Sequence, residues 1–216
     1  RMSTSKLEPA PQATALPLEA ASEDLAALAW LHESERDVST LGRLHAGGFP
    51  DGLTLARPGM PAVTDMEQAL AVIRQVGAEE QAALQDDLDA DFAGIYLTHA
   101  LRASPCESVW LDEENLMMQG PSFAVRDCYR RHGLSVANWR HIADDHLANE
   151  LAFVAYLLAK GHGGEARRFI DEHLMQWLPR FAGRVTERAS TRFYAALAGL
   201  TLQVVESLQQ RLPASG

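Results

Sequence analysis

Residues 144–158 read DDHLANELAFVAYLL, and this stretch decides the fold. Its apolar side chains recur every three or four residues, as on one stripe of a helix: Leu147, Leu151, Val154 and Leu158. Few polar residues interrupt the stripe, so we expect this helix to form the buried centre of a helical domain. Asp144 stands where a side chain would cap the first free amides of that helix.

Further helical patterns lie on both sides of this stretch. The predicted helices run from a cap at Ser22 through Leu25, Leu28 and Leu31, from the capping box Thr64–Glu67 to Gly77, from Ala78 to about Leu101, between Ser122 and Gly133, from Glu165 to an end near Pro179, and from Thr191 to Leu212. The sequence shows no alternating strand pattern of useful length. It therefore predicts an all-α, single-domain helical bundle over residues 21–216.

Two segments lack a helical pattern. Residues 1–20 are rich in Pro, Ser, Thr and Ala and are predicted to be a disordered tail, with Arg1 ahead of Met2 expected to be a cloning remnant. Residues 45–62 hold four glycines and three prolines, which disfavour a helix interior. We expect a Gly/Pro-rich loop there, inside the domain.

The charge balance excludes one class of partner and favours another. The formal net charge is -10 and the pI is near 5.2, whereas proteins that bind nucleic acid usually carry a positive surface. An acidic surface speeds the encounter with a basic peptide, although it also serves plain solubility. We therefore expect no nucleic acid partner.

Cysteine content and hydropathy bear on the compartment. Cys106 and Cys128 are the only cysteines and lack CxxC spacing, which predicts neither a disulfide framework nor a zinc site. The sequence also shows no apolar run of membrane-spanning length and no secretory signal pattern. A cytoplasmic protein without stable membrane insertion is expected.

Motifs for catalysis or metal binding are absent from the sequence. The acidic stretch around Asp87, Asp89 and Asp91 resembles a calcium loop, but Phe92 stands where glycine is required and Thr98 where glutamate is required. There is no HExxH, phosphate-binding loop or GxSxG pattern. We predict that the chain is not an enzyme and holds no metal or cofactor.

Four short motifs occur in a distinctive order. They are the aromatic pair Phe92 and Tyr96, the turn Pro105-Cys-Glu-Ser-Val-Trp110, the arginine Arg126 within VRDCY, and the helix start Ala143-Asp-Asp-His146. This order resembles the TorD/DmsD/NarJ family of helical chaperones for molybdenum enzymes. The resemblance spans roughly residues 84–212.

The resemblance implies a function and a set of partners. Members of that family bind the twin-arginine leader and the apo form of a molybdopterin oxidoreductase, and hold the precursor until its cofactor is inserted and export proceeds. Some relatives bind guanine nucleotide weakly. A monomer or a homodimer is expected, and residues 161–164 and the loop before Thr191 could serve as hinges for exchange of the final helices.

The chemistry of the helix start suits an arginine-rich ligand. Capping explains Asp144, but Asp145 remains free in that interpretation to accept a planar guanidinium in two hydrogen bonds. The helix dipole disfavours the protonated form of His146, whereas the two neighbouring carboxylates favour it. The charge of His146 is therefore predicted to change within the physiological pH range. Arg126 is expected either to orient Glu107 or Asp145, or to be an ordinary surface residue.

Aromatic residues are predicted to form the apolar part of a leader groove. Trp110 and Tyr96 carry polar ends and are expected to be partly exposed beside Pro105, whereas core packing is the simpler interpretation of Phe92. Two other functions remain open from the sequence. One is a regulator that binds GTP, and the other is a helical scaffold without a peptide site.

Overall fold

The computed structural model of the chain describes residues 16–57, 59–137 and 142–214. In these ranges the helices are α1 (Leu18–Glu33), α2 (Val38–Ala46), α3 (Pro61–Gln75), α4 (Gln81–Phe92), π1 (Ala93–Leu97), α5 (Glu107–Leu111), α6 (Gly120–Arg131), α7 (Leu147–Ala159), α8 (Gly163–Phe169), π2 (Ile170–Leu174), α9 (Met175–Arg188) and α10 (Arg192–Arg211). No strand occurs in the described ranges. The predicted all-α, single-domain bundle is confirmed.

Helix α7 lies at the centre of the bundle, as its apolar pattern predicts. The side chains of its stripe are fully or almost fully buried: Leu147, Leu151, Val154 and Leu158. Helix α1 packs along α7 more extensively than any other described pair of helices, and α10 packs against α9 and α3. Buried side chains of the described helices form one contiguous apolar cluster, which includes the large rings of Trp177, Phe181 and Tyr194.

The first helix begins earlier than predicted. Helix α1 starts at Leu18, so residues 18–20 of the predicted tail are helical, while residues 1–15 of that tail lie outside the described residues. Ser22 is therefore not a cap. Its hydroxyl lies inside α1 and donates a hydrogen bond to the carbonyl oxygen of Ala155, 2.7 Å away in α7.

Two helix starts near the Gly/Pro-rich loop also differ from the prediction. Helix α3 begins at Pro61, so the proposed capping box at Thr64–Glu67 lies inside the helix. Proline suits the first helical position because the amide hydrogen that it lacks would have no partner there. Helix α2 was missed, although Asp37 caps it by accepting from the amide of Thr40 at 2.6 Å.

Helix ends differ at two further places. The helix predicted to reach Leu101 ends at Leu97, and π1 forms its last turn. The helix predicted to stop near Pro179 continues to Arg188. Pro179 lies inside α9, which follows directly from the wider turn of π2. The final helix, Arg192–Arg211, agrees with the prediction.

Candidate functional site

The turn before Trp110 and the start of α7 lie side by side. Cys106 and His146 form an isolated antiparallel bridge in which the amide of Glu107 donates to the carbonyl of Asp145 at 3.0 Å. The amide of Leu147 donates to the carbonyl of the buried Pro105 at 2.8 Å. The two motifs that the sequence separates by about forty residues are therefore joined through their backbones.

Asp145 faces the interior of the protein. It is 0% exposed, and its Oδ2 accepts a hydrogen bond from the amide of Ser108 at 2.7 Å, at the start of α5. Its Oδ1 has no hydrogen-bond partner among the described residues. The prediction that Asp145 presents a free carboxylate to a ligand is wrong for this arrangement, because the carboxylate is used to hold α5.

His146, not Asp144, caps α7. The Nδ1 atom of His146 accepts from the amide of Ala148 at 3.1 Å, and the residue is buried. Burial, together with the nearby charge of His99, lowers the pKa of His146 from 6.5 to about 4. The predicted change of charge in the physiological pH range is therefore wrong, and the imidazole stays neutral.

Asp144 instead receives Arg126. The Nε and Nη2 atoms of Arg126 both donate to Oδ2 of Asp144, at 2.9 Å and 2.7 Å. The carbonyl of Asp144 accepts from the hydroxyl of Tyr129 at 2.9 Å, so α6 holds this residue through two of its groups. Arg126 thus pairs with Asp144 and not with Glu107 or Asp145, which corrects the prediction.

Glu107 belongs to a buried polar cluster behind the bridge. Its carboxylate oxygens accept from Nδ1 of His173 at 3.1 Å and 3.2 Å. Glu150 lies nearby, with its Oε2 accepting from the indole of Trp177 at 3.3 Å. Burial, reinforced by the charges of Glu107 and Asp145, raises the pKa of Glu150 well above its ordinary value, so this carboxyl is held in its neutral form.

Phe92 and Tyr96 are core residues. Their rings stack with centroids 4.7 Å apart, and both side chains are buried. The hydroxyl of Tyr96 lies 2.5 Å from Nδ1 of His32 in α1. The core interpretation of Phe92 is confirmed, whereas the expected partial exposure of Tyr96 is wrong.

Trp110 is half-buried and faces arginines of α9. Its indole nitrogen donates to the carbonyl of Ser104 at 2.8 Å. The guanidinium carbons of Arg180 and Arg184 lie 5.6 Å and 5.8 Å from the centroid of its ring. Trp110 and Asp144 line different cavities, so the structure does not bring the predicted apolar and acidic parts of the leader groove together.

The structure adds a groove that the motifs did not predict. A cavity of about 440 Å³ between α6, α7 and the segment that follows α6 is lined mainly by apolar groups: Tyr129, Leu134, Val136, Ile142, Phe153 and Tyr156. A second cavity of about 430 Å³ is lined by Arg126, Arg130 and Asp144 and shares residues 135–137 with the first. We call the two together the α6–α7 groove. In the sequence, the apolar residues Leu134 and Val136 just after the predicted helix end at Gly133 could have indicated this groove.

Comparison with known families now adds to this geometry. The family described as nitrate reductase delta subunit matches residues 61–183, which is more than half of the chain. The chain belongs to this family. The matched range contains the aromatic pair, the turn at Trp110, Arg126 and the start of α7, so the resemblance inferred from their order is confirmed.

Several curated relatives share most of the chain. The "Tat proofreading chaperone DmsD" of Salmonella typhi is 28% identical over 148 residues, 68% of this chain and 71% of that protein. The "Chaperone protein TorD" of a Vibrio cholerae strain is 27% identical over 194 residues, 84% of this chain and 86% of the relative. The protein of the same name from Shewanella pealeana is 33% identical over 129 residues, covering 56% and 58%.

These relatives are chaperones and not catalysts, which agrees with the prediction that the chain is not an enzyme. In the described residues, no helix has the length and apolar character needed to cross a bilayer.

Proposed function

We propose that this chain is a maturation chaperone for a molybdopterin oxidoreductase, and that it acts in the cytoplasm on the precursor before export. It binds the twin-arginine leader and the apo form of the enzyme, and it assists insertion of the cofactor. The names of its relatives, a Tat proofreading chaperone and a TorD chaperone, support this function over a nucleotide-responsive regulator or a scaffold without a peptide site.

One observation in the structure carries the leader-binding part of the proposal. In the α6–α7 groove a carboxylate that already binds a guanidinium, Asp144, adjoins an apolar cavity. A twin-arginine leader offers matching chemistry, because one of its guanidinium groups suits Asp144 and its apolar stretch suits the neighbouring cavity. Because the two cavities share residues 135–137, one extended peptide can reach both ends of the groove.

The proposed binding step is an exchange of partners at Asp144. The side chain of Arg126 is 26% exposed while that of Asp144 is 5% exposed, so the arginine lies on the outer side of the pair. A guanidinium of the leader replaces that of Arg126 and recovers the two charge-assisted hydrogen bonds. The apolar stretch then covers Tyr129, Phe153 and Tyr156, and the net charge of -10 speeds encounter with the basic leader.

The other residues predicted for the site position Asp144 without touching the leader. His146 caps α7 two residues after Asp144, and Asp145 ties α5 to the same segment. Glu107, Phe92, Tyr96 and Pro105 are buried. Their substitution is expected to change leader binding only through the stability of the fold.

Calorimetry with a synthetic twin-arginine leader tests the proposal. A leader with Lys-Lys in place of Arg-Arg keeps the charge but loses the planar, two-pronged donor, so we expect its affinity to fall at least about tenfold. Equal affinity for both peptides would contradict guanidinium recognition. A scrambled peptide of the same composition is the control for nonspecific attraction to the acidic surface.

No cofactor is part of this proposal. Weak binding of guanine nucleotide stays a prediction, and so does the choice between a monomer and a homodimer with exchanged helices.

A further inference from the structure

A further cavity lies beside Trp110, and arginine side chains line it although the chain as a whole is acidic. It has a volume of about 490 Å³, and its lining includes His99, Arg102, Val109, Trp110, Met117 and Arg184. We call it the Trp110 pocket. It is built by α5, α9 and the segments that flank α5, and it shares no lining residue with the α6–α7 groove.

Three guanidinium groups concentrate positive charge at this pocket. Arg102 and Arg184 line it, and Arg180 lies over the indole of Trp110. Within the described residues, none of the three forms an ion pair with a carboxylate. Arginines without an ion pair, clustered on a protein of net charge -10, form a local positive patch that attracts anionic groups.

The pocket is held in shape by local contacts. The indole of Trp110 donates to the carbonyl of Ser104, and Arg184 donates to the carbonyl of Arg102 at 3.2 Å. His99, Arg102 and Asn115, all in the lining, have φ angles of 54°, 52° and 56°. This left-handed conformation costs non-glycine residues free energy, and strained residues of this kind cluster where a structure serves a ligand.

Exposed apolar side chains lie on the rim of the pocket, beside the exposed Glu113 and Glu114. The lining residue Met117 is 38% exposed, and the side chains of Leu97, Leu111 and Leu116, within two residues of the lining, are 63%, 38% and 47% exposed. Aromatic residues, methionine and arginine together are typical of the centre of a protein–protein interface. A free phosphate would use the arginines and leave this apolar rim uncovered.

We propose that the Trp110 pocket docks an acidic, amphipathic peptide segment of a partner protein. Carboxylates of the segment pair with Arg102, Arg180 and Arg184, and its apolar side chains cover Trp110 and the leucine rim. A twin-arginine leader has the wrong charge for this surface, because its guanidinium groups would be repelled. The inference therefore goes beyond leader binding and stands on separate residues.

A synthetic peptide in which glutamates alternate with leucines at helical spacing probes the pocket by calorimetry. The matched control replaces each glutamate with glutamine. We expect the acidic peptide to bind at least about tenfold more tightly than the control, and the difference to shrink with added salt. Equal affinity of the two peptides, or no binding of the acidic one, would overturn the proposal.

Substitutions on the full chain localise the effect. Arg102→Gln combined with Arg184→Gln should weaken acidic-peptide binding about tenfold or more. The control, Arg57→Gln combined with Arg74→Gln, removes the same charge elsewhere on the surface and should have little effect. Both control arginines are exposed and lie outside the pocket lining. If both double variants bound the acidic peptide equally weakly, the effect would come from net charge alone, which would contradict a specific site at the Trp110 pocket.

Further measurements test whether something other than an acidic peptide occupies the Trp110 pocket. Inorganic phosphate at equal ionic strength should not displace the acidic peptide; full displacement would assign the pocket to small anions and overturn the peptide proposal. The Arg102→Gln, Arg184→Gln protein should bind the twin-arginine leader as the unmodified chain does. If the protein self-associates instead, and the arginine substitutions abolish that association, the pocket is a contact between copies and the proposal fails.

Discussion

The Nδ1 atom of His173 lies 3.1 Å from Oε1 of Glu107 in the buried layer beneath the candidate site. Burial alone would lower the pKa of this imidazole, but its contacts with Cys128 and Glu107 outweigh burial and raise the pKa to about 9. His173 is therefore a cation at neutral pH and Glu107 is its counterion. The turn at Trp110 is anchored to π2 by this pair.

Glu107 and Glu150 are predicted to respond differently to the same substitution. Glu107→Gln removes the counterion of a buried cation and should lower the free energy of unfolding by about 3–5 kcal/mol. Glu150 is held neutral and accepts from Trp177, so Glu150→Gln keeps its shape and charge and should cost less than about 1 kcal/mol. Urea unfolding at pH 7 measures both, and equal costs would contradict the assignment of charge.

The same pair predicts a loss of stability in alkali. The folded pKa of His173 is raised from 6.5 to about 9, so its contribution is complete below pH 6.5 and is lost as the pH rises through about 9. Urea unfolding of the unmodified chain between pH 6.5 and 9.5 should show this decline. In Glu107→Gln the decline should be smaller, and an unchanged slope would remove the ion pair from the account.

His32 and His146 predict a second loss of stability, in acid. Burial, aided by nearby imidazoles, lowers the pKa of His32 to about 3 and that of His146 to about 4. The unfolded chain takes up protons first, so the stabilising contribution of each residue is complete above pH 6.5 and falls by about 1.4 kcal/mol per pH unit below it. Nuclear magnetic resonance should show that neither imidazole of the folded protein titrates between pH 5 and 8. Titration of His146 near pH 6.5 would contradict its burial.

Asp91 is predicted to be a structural residue. Its carboxylate accepts from the amides of Ser190 and Thr191 at 2.9 Å and 2.6 Å, and so ties the connection between α9 and α10 to α4. Asp91→Ala should lower the free energy of unfolding by about 2–4 kcal/mol, because the amides of Ser190 and Thr191 lose a buried acceptor.

The matched control for Asp91 is the exposed Asp86, for which Asp86→Ala should change stability by less than about 0.5 kcal/mol. A small effect of Asp91→Ala in the same denaturation experiment would show that water replaces the carboxylate.

Periodicity in the sequence predicted the part of the fold that local pattern controls. Leu147, Leu151 and Val154 repeat at helical spacing, and they are buried as expected. Starts and ends were less predictable, because Pro61 and Asp37 compete with other plausible caps nearby. The continuation of α9 through Pro179 was also not predicted, because proline usually ends a helix.

The directions of the site side chains could not be predicted from the sequence. The residues before α7 are not helical, and their orientation is set by the long-range bridge between Cys106 and His146. That bridge turns Asp145 inward to α5 and leaves Asp144 to Arg126. The motif order thus predicted which segments meet, and the tertiary contacts decided which carboxylate a ligand can reach.

The exchange at Asp144 is tested most directly by a double-mutant cycle between the chaperone and the leader. Calorimetry would measure four affinities: the unmodified chain and Asp144→Asn, each with the Arg-Arg leader and the Lys-Lys leader. If Asp144 accepts a leader guanidinium, each change alone weakens binding about tenfold or more, and the two together cost little more than one, a coupling energy of about 1 kcal/mol or greater. Additive losses, with a coupling energy near zero, would contradict the account.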